Sequence, residues 1–163
     1  MSRYSIEIKW AIAFVIMSLI WMLGEKLLGL HSERIDKHVI YTNFMAIPAI
    51  AIYVFALLDK RENYYNGHMT YKQGFVSGLL ITLIVTVISP LTQYITSVFI
   101  TPEYFPNAIK HAVSTGSSSQ AEAEKFFSLN NYIVQGLIGG MIMGSITSAI
   151  VAYFTKSKAP VAA

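Results

Sequence analysis

Four long stretches of the chain are almost free of charged residues and are separated by polar segments. Each covers about 20 residues or more, the length that an α-helix rising 1.5 Å per residue needs to cross about 30 Å of hydrocarbon. None shows the strict alternation typical of a membrane β-strand. Because backbone amides inside lipid must be paired within their own segment, we predict that each stretch is helical. The predicted spans are residues 8–30, 39–58, 74–100 and 132–154.

The polar segment between the third and fourth spans, residues 101–131, is predicted to form an external helical loop. The run NAIKHAVS indicates a first short helix that ends at Gly116, a residue suited to a left-handed cap. Ser119 and Glu122 are three residues apart and form a capping-box pattern, which predicts a second short helix. The alternative is a flexible serine-rich loop around residues 117–119.

Composition favours a membrane protein over a soluble one. The chain is 54% hydrophobic and 13% charged, whereas soluble domains carry roughly 25% charged residues. Cysteine is absent, which excludes disulfides, thiol nucleophiles, cysteine-ligated zinc and iron–sulfur clusters. The basic residues occur singly at segment ends rather than on one face, which argues against nucleic acid as a partner. We therefore predict one integral membrane domain over residues 1–163, an all-α four-helix transmembrane bundle.

The distribution of basic residues predicts that both termini lie in the cytoplasm. The N-terminus, the second loop and the C-terminal tail carry seven basic residues, and the other two loops carry five. Loops rich in lysine and arginine are retained on the cytoplasmic side. The seven are Arg3, Lys9, Lys60, Arg61, Lys72, Lys156 and Lys158.

Small residues recur every four positions in the fourth span, over about 24 Å of helix. Small side chains allow two helix backbones to approach closely in lipid, where no hydrophobic drive brings helices together. We predict a helix-packing role, either between the third and fourth spans or at a dimer interface. The positions assigned to packing are Gly74, Gly78, Gly136, Gly140, Gly144 and Ser148.

Two prolines and one acid are the candidate functional residues inside the spans. Pro48 and Pro90 each remove an amide donor and free the carbonyl four residues earlier, at Phe44 and Thr86. A freed carbonyl beside hydroxyl groups can line a polar cavity; the alternative is a passive kink satisfied by a neighbouring group. Glu25 is an ionisable group within the first span, which is a functional hypothesis by default, although its position close to the span's end indicates an interfacial residue.

The sequence supplies no metal, cofactor or catalytic site. The four histidines, His31, His38, His68 and His111, are scattered. A metal site at His31 and His38, which have Glu33 and Asp36 between them, is conceivable, but the spacing matches no standard ligand set, so we predict solvated loop histidines. No glycine-rich phosphate loop follows a strand, and the GxSxG and HExxH motifs are absent. We therefore predict that the protein is not an enzyme and binds no cofactor.

The second loop and third span carry a family resemblance. The segment GHMTYKQGFVSGLLITLIVTVI contains the pattern G-x-[IM]-[ST]-[FY]-x-x-[AG]-F, with the matching positions filled by Gly67, Met69, Thr70, Tyr71, Gly74 and Phe75. It resembles the family of small bacterial membrane proteins catalogued as domain of unknown function 4199. The resemblance implies four spans, an outer helical loop and a bacterial inner-membrane location. It implies no activity and supplies no catalytic residues.

Three functional hypotheses follow from these patterns. The first is an accessory or packing subunit of the cytoplasmic membrane that contacts the lipid bilayer and other membrane proteins, or itself, through small-residue faces. The second is a small transporter or channel that uses the proline-broken helices 2 and 3. The third, ranked last, is an enzyme acting on lipid or quinone, because that would require charged or nucleophilic groups converging near the external loop and the sequence shows none.

Overall fold

The computed structural model describes residues 4–157, which form helices and contain no β-strand. A 3-10 turn, Asn43–Met45, joins the second helix to the third, and a π-helical turn, Thr96–Ile100, extends the fourth. Arg3 and Lys158, which contribute to the predicted orientation, lie outside the described residues. The α-helices are α1 (Ser5–Leu27), α2 (Ile35–Thr42), α3 (Ala46–Asn63), α4 (Tyr71–Ile95), α5 (Tyr104–Ser114), α6 (Gln120–Phe126) and α7 (Leu129–Thr155).

Four helical units are long and apolar enough to cross a membrane, so the predicted all-α class and the predicted number of apolar helices are confirmed. These units are Ser5–Leu27, Ile35–Asn63, Tyr71–Ile100 and Leu129–Thr155. The first lies three residues closer to the N-terminus than predicted. The second extends to Asn63 because the polar residues after Leu58 continue the helix rather than end it. This architecture is compatible with a multi-pass membrane protein.

The four units alternate in direction, which gives the bundle two distinct ends. The start of α1, the end of α3, the start of α4 and the end of α7 meet at one end, here called the terminal end. There Arg61 Nη1 donates to the carbonyl of Thr155 at 3.1 Å, and Ser157 N donates to the carbonyl of Met69 at 2.8 Å. The opposite end, here called the cap end, carries α5 and α6.

The cap-end loop contains the two predicted short helices. The helix α5 starts earlier than the NAIKHAVS run and ends shortly before Gly116, which has a positive φ of 69° as expected of a left-handed cap. Ser119 begins α6 with a capping box, because its hydroxyl accepts from the Glu122 amide while the Glu122 side chain accepts from the Ser119 amide. The loop therefore contains both predicted helices, and residues 115–119 form a short non-helical turn between them.

The small residues of α4 and α7 pack directly against each other near the terminal end. A Cβ added at Gly78 would lie 2.7 Å from the Ser148 side chain, and one added at Gly144 would lie 2.5 Å from Thr82. Real Cβ atoms do not approach other atoms this closely, so these backbones are in contact only because the glycines have no side chain. Gly74 faces Ala152 in the same seam, at 3.3 Å from its Cβ.

The α4–α7 seam opens toward the cap end. A Cβ added at Gly140 would lie 3.5 Å from Thr86 Oγ1, and one added at Gly136 would lie 3.8 Å from Ser89 Oγ. Both distances are ordinary van der Waals contacts. The positions assigned to helix packing therefore divide into a tight set at the terminal half of the seam and a looser pair, Gly136 and Gly140, at its cap half.

Neither proline leaves a carbonyl unsatisfied. Pro90 lies within α4, and the Ser89 hydroxyl donates to the Thr86 carbonyl at 2.8 Å. Pro48 is the third residue of α3, where a helix has no partner for the missing amide. The Phe44 carbonyl accepts from the amide of Ala46. Both prolines therefore shape the backbone without exposing an acceptor.

Replacement of Gly144 by Ala should destabilise the bundle by about 1–3 kcal/mol, because the new methyl group overpacks the contact with Thr82. Gly139 is the matched control, since a Cβ there meets nothing within 4 Å. Gly139→Ala should be neutral or slightly stabilising, because alanine favours a helix by up to about 1 kcal/mol over glycine. Denaturation in mixed micelles, followed by circular dichroism, measures both; equal midpoints for the two variants would contradict the close seam.

Candidate functional site

Three ionisable side chains from consecutive segments meet at the cap end. Glu25 lies in the last turn of α1, His31 in the following turn, and His38 in α2. Gly29, with a positive φ of 73°, reverses the chain, and its carbonyl accepts from the amide of Arg34 at 2.8 Å. This tight turn places α2 beside the end of α1, which is why residues six and thirteen positions after Glu25 can contact it.

Both histidines converge on one oxygen of Glu25. His31 Nε2 lies 3.0 Å from Glu25 Oε2, and His38 Nε2 lies 3.3 Å from the same atom. The side chains of Glu25 and His31 are 2% and 1% exposed, and that of His38 is 13% exposed. The three form a largely buried cluster, here called the Glu–His cluster, in which one ligand atom from each residue lies within 4.8 Å of the other two.

Neighbouring side chains hold the Glu–His cluster in place. Trp21 Nε1 donates to Glu25 Oε1 at 2.6 Å, which fixes the carboxylate from the α1 side. Asn107 Nδ2 of α5 donates to the backbone carbonyl of His31 at 3.0 Å. The ring of Tyr104 packs against both imidazoles, with centroid distances of 5.1 Å to His31 and 4.9 Å to His38. The helical loop therefore covers the cluster and orients it.

Tyr104 links the cluster to the start of α7. Its hydroxyl lies 3.0 Å from the hydroxyl of Tyr132, and both rings contact Phe105 and Phe127. Burial, reinforced by Tyr132 and Glu25, raises the pKa of Tyr104 well above its usual range. Tyr104 is therefore a neutral hydrogen-bonding group under any ordinary condition.

Two polar atoms of the cluster are buried without a hydrogen-bond partner among the described residues. They are His31 Nδ1 and His38 Nε2. The latter is close to Glu25 but does not have hydrogen-bond geometry with it. Buried polar atoms are normally satisfied, so each unsatisfied one requires an explanation. Two imidazoles and a carboxylate are also a set of groups that can hold a metal ion.

A cavity of about 320 Å³ adjoins Glu25 on the side of α1 that faces α2 and α3. Apart from Glu25, its wall is mostly apolar. Gly24 is part of this wall, and a Cβ added there would meet nothing within 4 Å. The lining residues are Met17, Ile20, Trp21, Gly24, Glu25, Leu28, Leu30, Tyr41, Phe44 and Pro48.

Two expectations from the sequence are wrong at this site. His31 and His38 were expected to be solvated, but both are enclosed by α1, α2 and α5. The enzyme hypothesis was ranked last because no charged groups seemed to converge near the loop, and Glu25, His31 and His38 do converge there. The sequence separations of Glu25, His31 and His38 match no known metal-binding motif. The three side chains meet because the chain reverses direction at Gly29, and motif spacing does not predict such a turn.

A second buried polar cluster occupies the terminal end. Lys60 Nζ lies 2.9 Å from Glu7 Oε1, and Ser77 Oγ donates to the same oxygen at 2.7 Å. The side chains of Glu7 and Lys60 are 2% and 4% exposed. The Lys60 ammonium also lies 3.8 Å from the ring centre of Tyr64. The sequence analysis counted Lys60 among the basic loop residues, and Glu7 lies just before the first predicted span; the structure encloses both between α1, α3 and α4.

A further cavity, of about 330 Å³, lies between α3 and the α4–α7 seam, where the tight half of the seam meets the looser half. Gly140 and Gly144 of α7 face Ala46 and Ala49 of α3 across it. Thr86 also lines this cavity, and its hydroxyl oxygen is buried without a hydrogen-bond partner. The remaining lining residues are Phe14, Thr42, Asn43, Met45, Ile50, Tyr53, Thr82, Val85, Met143 and Thr147.

Comparison with protein families identifies the chain at family level. A family model described as "Protein of unknown function (DUF4199)" matches residues 9–157. The chain belongs to this family. The resemblance that the sequence analysis drew from the entry into the third span is thereby confirmed. Neither the curated proteins nor the solved structures contain a match to the chain.

The DUF4199 match covers the Glu–His cluster and the whole α4–α7 seam, and it begins just after Glu7. Both cavities described above therefore lie within the family region. The family description assigns no activity, so the function has to be argued from the side chains themselves.

Removing one partner of the Glu7–Lys60 pair should cost about 3–5 kcal/mol, because the other charge is left buried and unpaired. Glu7→Gln and Lys60→Met should each lower the unfolding midpoint strongly, and the double variant should recover part of the loss. Glu62→Gln, which removes half of an exposed pair with Arg61, should change stability by no more than about 1 kcal/mol. If the stability lost in the double variant equals the sum of the losses in the two single variants, the two charges are not a coupled buried pair.

Proposed function

We propose that this chain is a non-catalytic accessory subunit of the bacterial cytoplasmic membrane that packs against another membrane protein. Membrane location is supported by four helices of spanning length and by the apolar residues on their outer faces. The bacterial origin is the expectation that the family resemblance carries. Cytoplasmic termini are supported by the sequence charge, because the terminal-end segments carry seven basic and three acidic residues while the other loops carry five and six.

The accessory role is supported mainly by the groove between α3 and α7, which is the 330 Å³ cavity described above. In lipid, helices associate by close packing of small residues rather than by a hydrophobic drive. At the terminal half of α7 the small residues are already occupied by α4. At the cap half, Gly140 is exposed and faces Ala46 and Ala49 across the 330 Å³ cavity. A helix of a partner protein, or of a second copy, that enters this groove would complete the packing that α4 leaves open.

A small transporter or channel is the second candidate function. Its support is the buried, unpartnered hydroxyl of Thr86 in the wall of the same cavity. The carbonyls freed by Pro48 and Pro90 no longer support it, since neighbouring groups satisfy them. Flux into liposomes by the wild type and by a Thr86→Val variant tests this candidate; absence of wild-type flux for ions and small solutes would remove it.

Gly140→Leu should abolish association with the partner, because the leucine side chain fills the groove between α3 and α7. The wild type and variants are extracted from native membranes in mild detergent, and co-purifying chains and complex mass are measured. Gly139→Leu is the matched control: it adds the same side chain on the same helix, at a position with open space that does not line the groove. It should keep the partner.

Two results would contradict the accessory role. One is a wild-type protein that is strictly monomeric and partnerless in its native membrane extract. The other is equal capture of the same partner by Gly140→Leu and Gly139→Leu, which would mean that the groove is not the contact.

Reporter fusions test the orientation independently of any partner. A reporter active only in the cytoplasm, placed after residue 157, should be active, and the same reporter inserted in the turn near Gly116 should be inactive. The physical reason is the excess of basic residues at the terminal end. The opposite pattern would reverse the assignment.

A further inference from the structure

We propose that Glu25, His31 and His38 bind a divalent transition-metal ion of the Zn²⁺ class. This site is separate from the α3–α7 groove that carries the proposed accessory role. The inference rests on the convergence of three metal-ligating side chains, two of them almost completely buried, at one point of the cap end.

The types of ligand atom select the class of ion. Two imidazole nitrogens with one carboxylate oxygen suit Zn²⁺ and the neighbouring late first-row divalent ions, whereas Ca²⁺ and Mg²⁺ require mainly oxygen ligands. A histidine pair with one glutamate is a known protein ligand set for zinc that leaves a fourth position free. The cavity beside Glu25 provides space next to the cluster for a water molecule or another small ligand.

The distances agree with such an ion. In a tetrahedral zinc site with bonds of about 2.0–2.2 Å, neighbouring ligand atoms lie about 3.3–3.6 Å apart. His31 Nε2 and His38 Nε2 lie 3.0 Å and 3.3 Å from Glu25 Oε2. One ligand atom from each of the three residues lies within 4.8 Å of the others, so side-chain rotation can bring the three around one ion.

The unsatisfied polar atoms point to a ligand as well. His38 Nε2 is buried at ion-pair distance from the carboxylate and has no hydrogen bond. An ion bound between His38 and Glu25 would give His38 Nε2 a partner. Among the described residues this nitrogen has no hydrogen-bond partner. The adjacent Lys26 does not neutralise Glu25, because its ammonium group donates to the carbonyl of Ile100 at 2.6 Å. Among the described residues the Glu25 carboxylate has no lysine or arginine ion-pair partner, which favours binding of a cation.

The surroundings hold the ligands before any ion binds. Trp21 fixes the second carboxylate oxygen, Asn107 fixes the backbone of His31, and Tyr104 packs against both imidazoles. Partners of this kind orient metal ligands and are worth about 10- to 100-fold in affinity each. A surface pair of histidines would have no comparable support.

The test uses the full-length chain without a polyhistidine tag, purified in detergent and stripped of metal. The wild type should bind one Zn²⁺ per chain in a calorimetric titration, and Zn²⁺ should raise its unfolding midpoint. Co²⁺ as a spectroscopic probe should give the intense visible absorption of a tetrahedral site. His31→Ala and His38→Ala should weaken Zn²⁺ binding by more than about 100-fold, beyond the effect expected for losing a surrounding hydrogen bond.

Matched controls separate this site from general histidine binding and from misfolding. His68→Ala and His111→Ala remove the other two histidines and should bind Zn²⁺ as the wild type does. Trp21→Phe keeps all three ligands and should weaken binding by about 10-fold. Gly140→Leu should leave Zn²⁺ binding unchanged, so that failure of the accessory role and failure of this site give different results. A folded wild type that binds no Zn²⁺, or that loses it equally in His111→Ala, would overturn the proposal.

Discussion

A polar group buried in this bundle is costly to leave unpaired, and most of the buried polar side chains have a hydrogen-bond or ion-pair partner. Hydroxyl groups along the spans donate to carbonyls three or four residues earlier, as Ser18 does to Val15 and Ser145 to Met141. The same arrangement lets Ser89 compensate for Pro90. Ionisable groups cannot be satisfied in this way, so they meet partners at the two ends of the bundle, where different segments converge.

The two ends of the bundle differ in how completely their buried polar groups are paired. At the terminal end, the charges of Glu7 and Lys60 neutralise each other and Ser77 supplies a further hydrogen bond. At the cap end, pairing is incomplete. Among residues 4–157, the buried side-chain atoms without a hydrogen-bond partner belong to His31, His38 and Thr86, and each lies in the cap half of the bundle. The α4–α7 seam follows the same trend, since it is tight at the terminal half and open at the cap half. Among the described residues, the unpaired buried polar atoms and the open part of the α4–α7 seam therefore both lie in the cap half.

The sequence predicted the features that depend on local pattern. Hydrophobic length located the four spans, and the capping box at Ser119 located α6, because both signals lie within one segment. The small-residue spacing identified Gly78 and Gly144 as packing positions, but it did not reveal that the seam loosens at Gly140. The Glu–His cluster was not predicted, because its assembly depends on the direction in which the Gly29 turn returns the chain. Glu7 was placed in a polar flank for a similar reason: hydropathy locates a helix end along the chain and does not show what covers it.

The two features of the cap half are connected through one stretch of chain. His38 lies in α2, and the Asn43–Met45 turn carries α2 directly into the residues of α3 that line the groove, Ala46 and Ala49. Anchoring α2 to the end of α1 through His38 and Glu25 therefore also restrains one wall of the groove. The opposite wall, α7, is tied to the same cluster by the contact between Tyr104 and Tyr132. The cluster and the groove share no lining residue, so they are neighbouring but distinct features of the cap half.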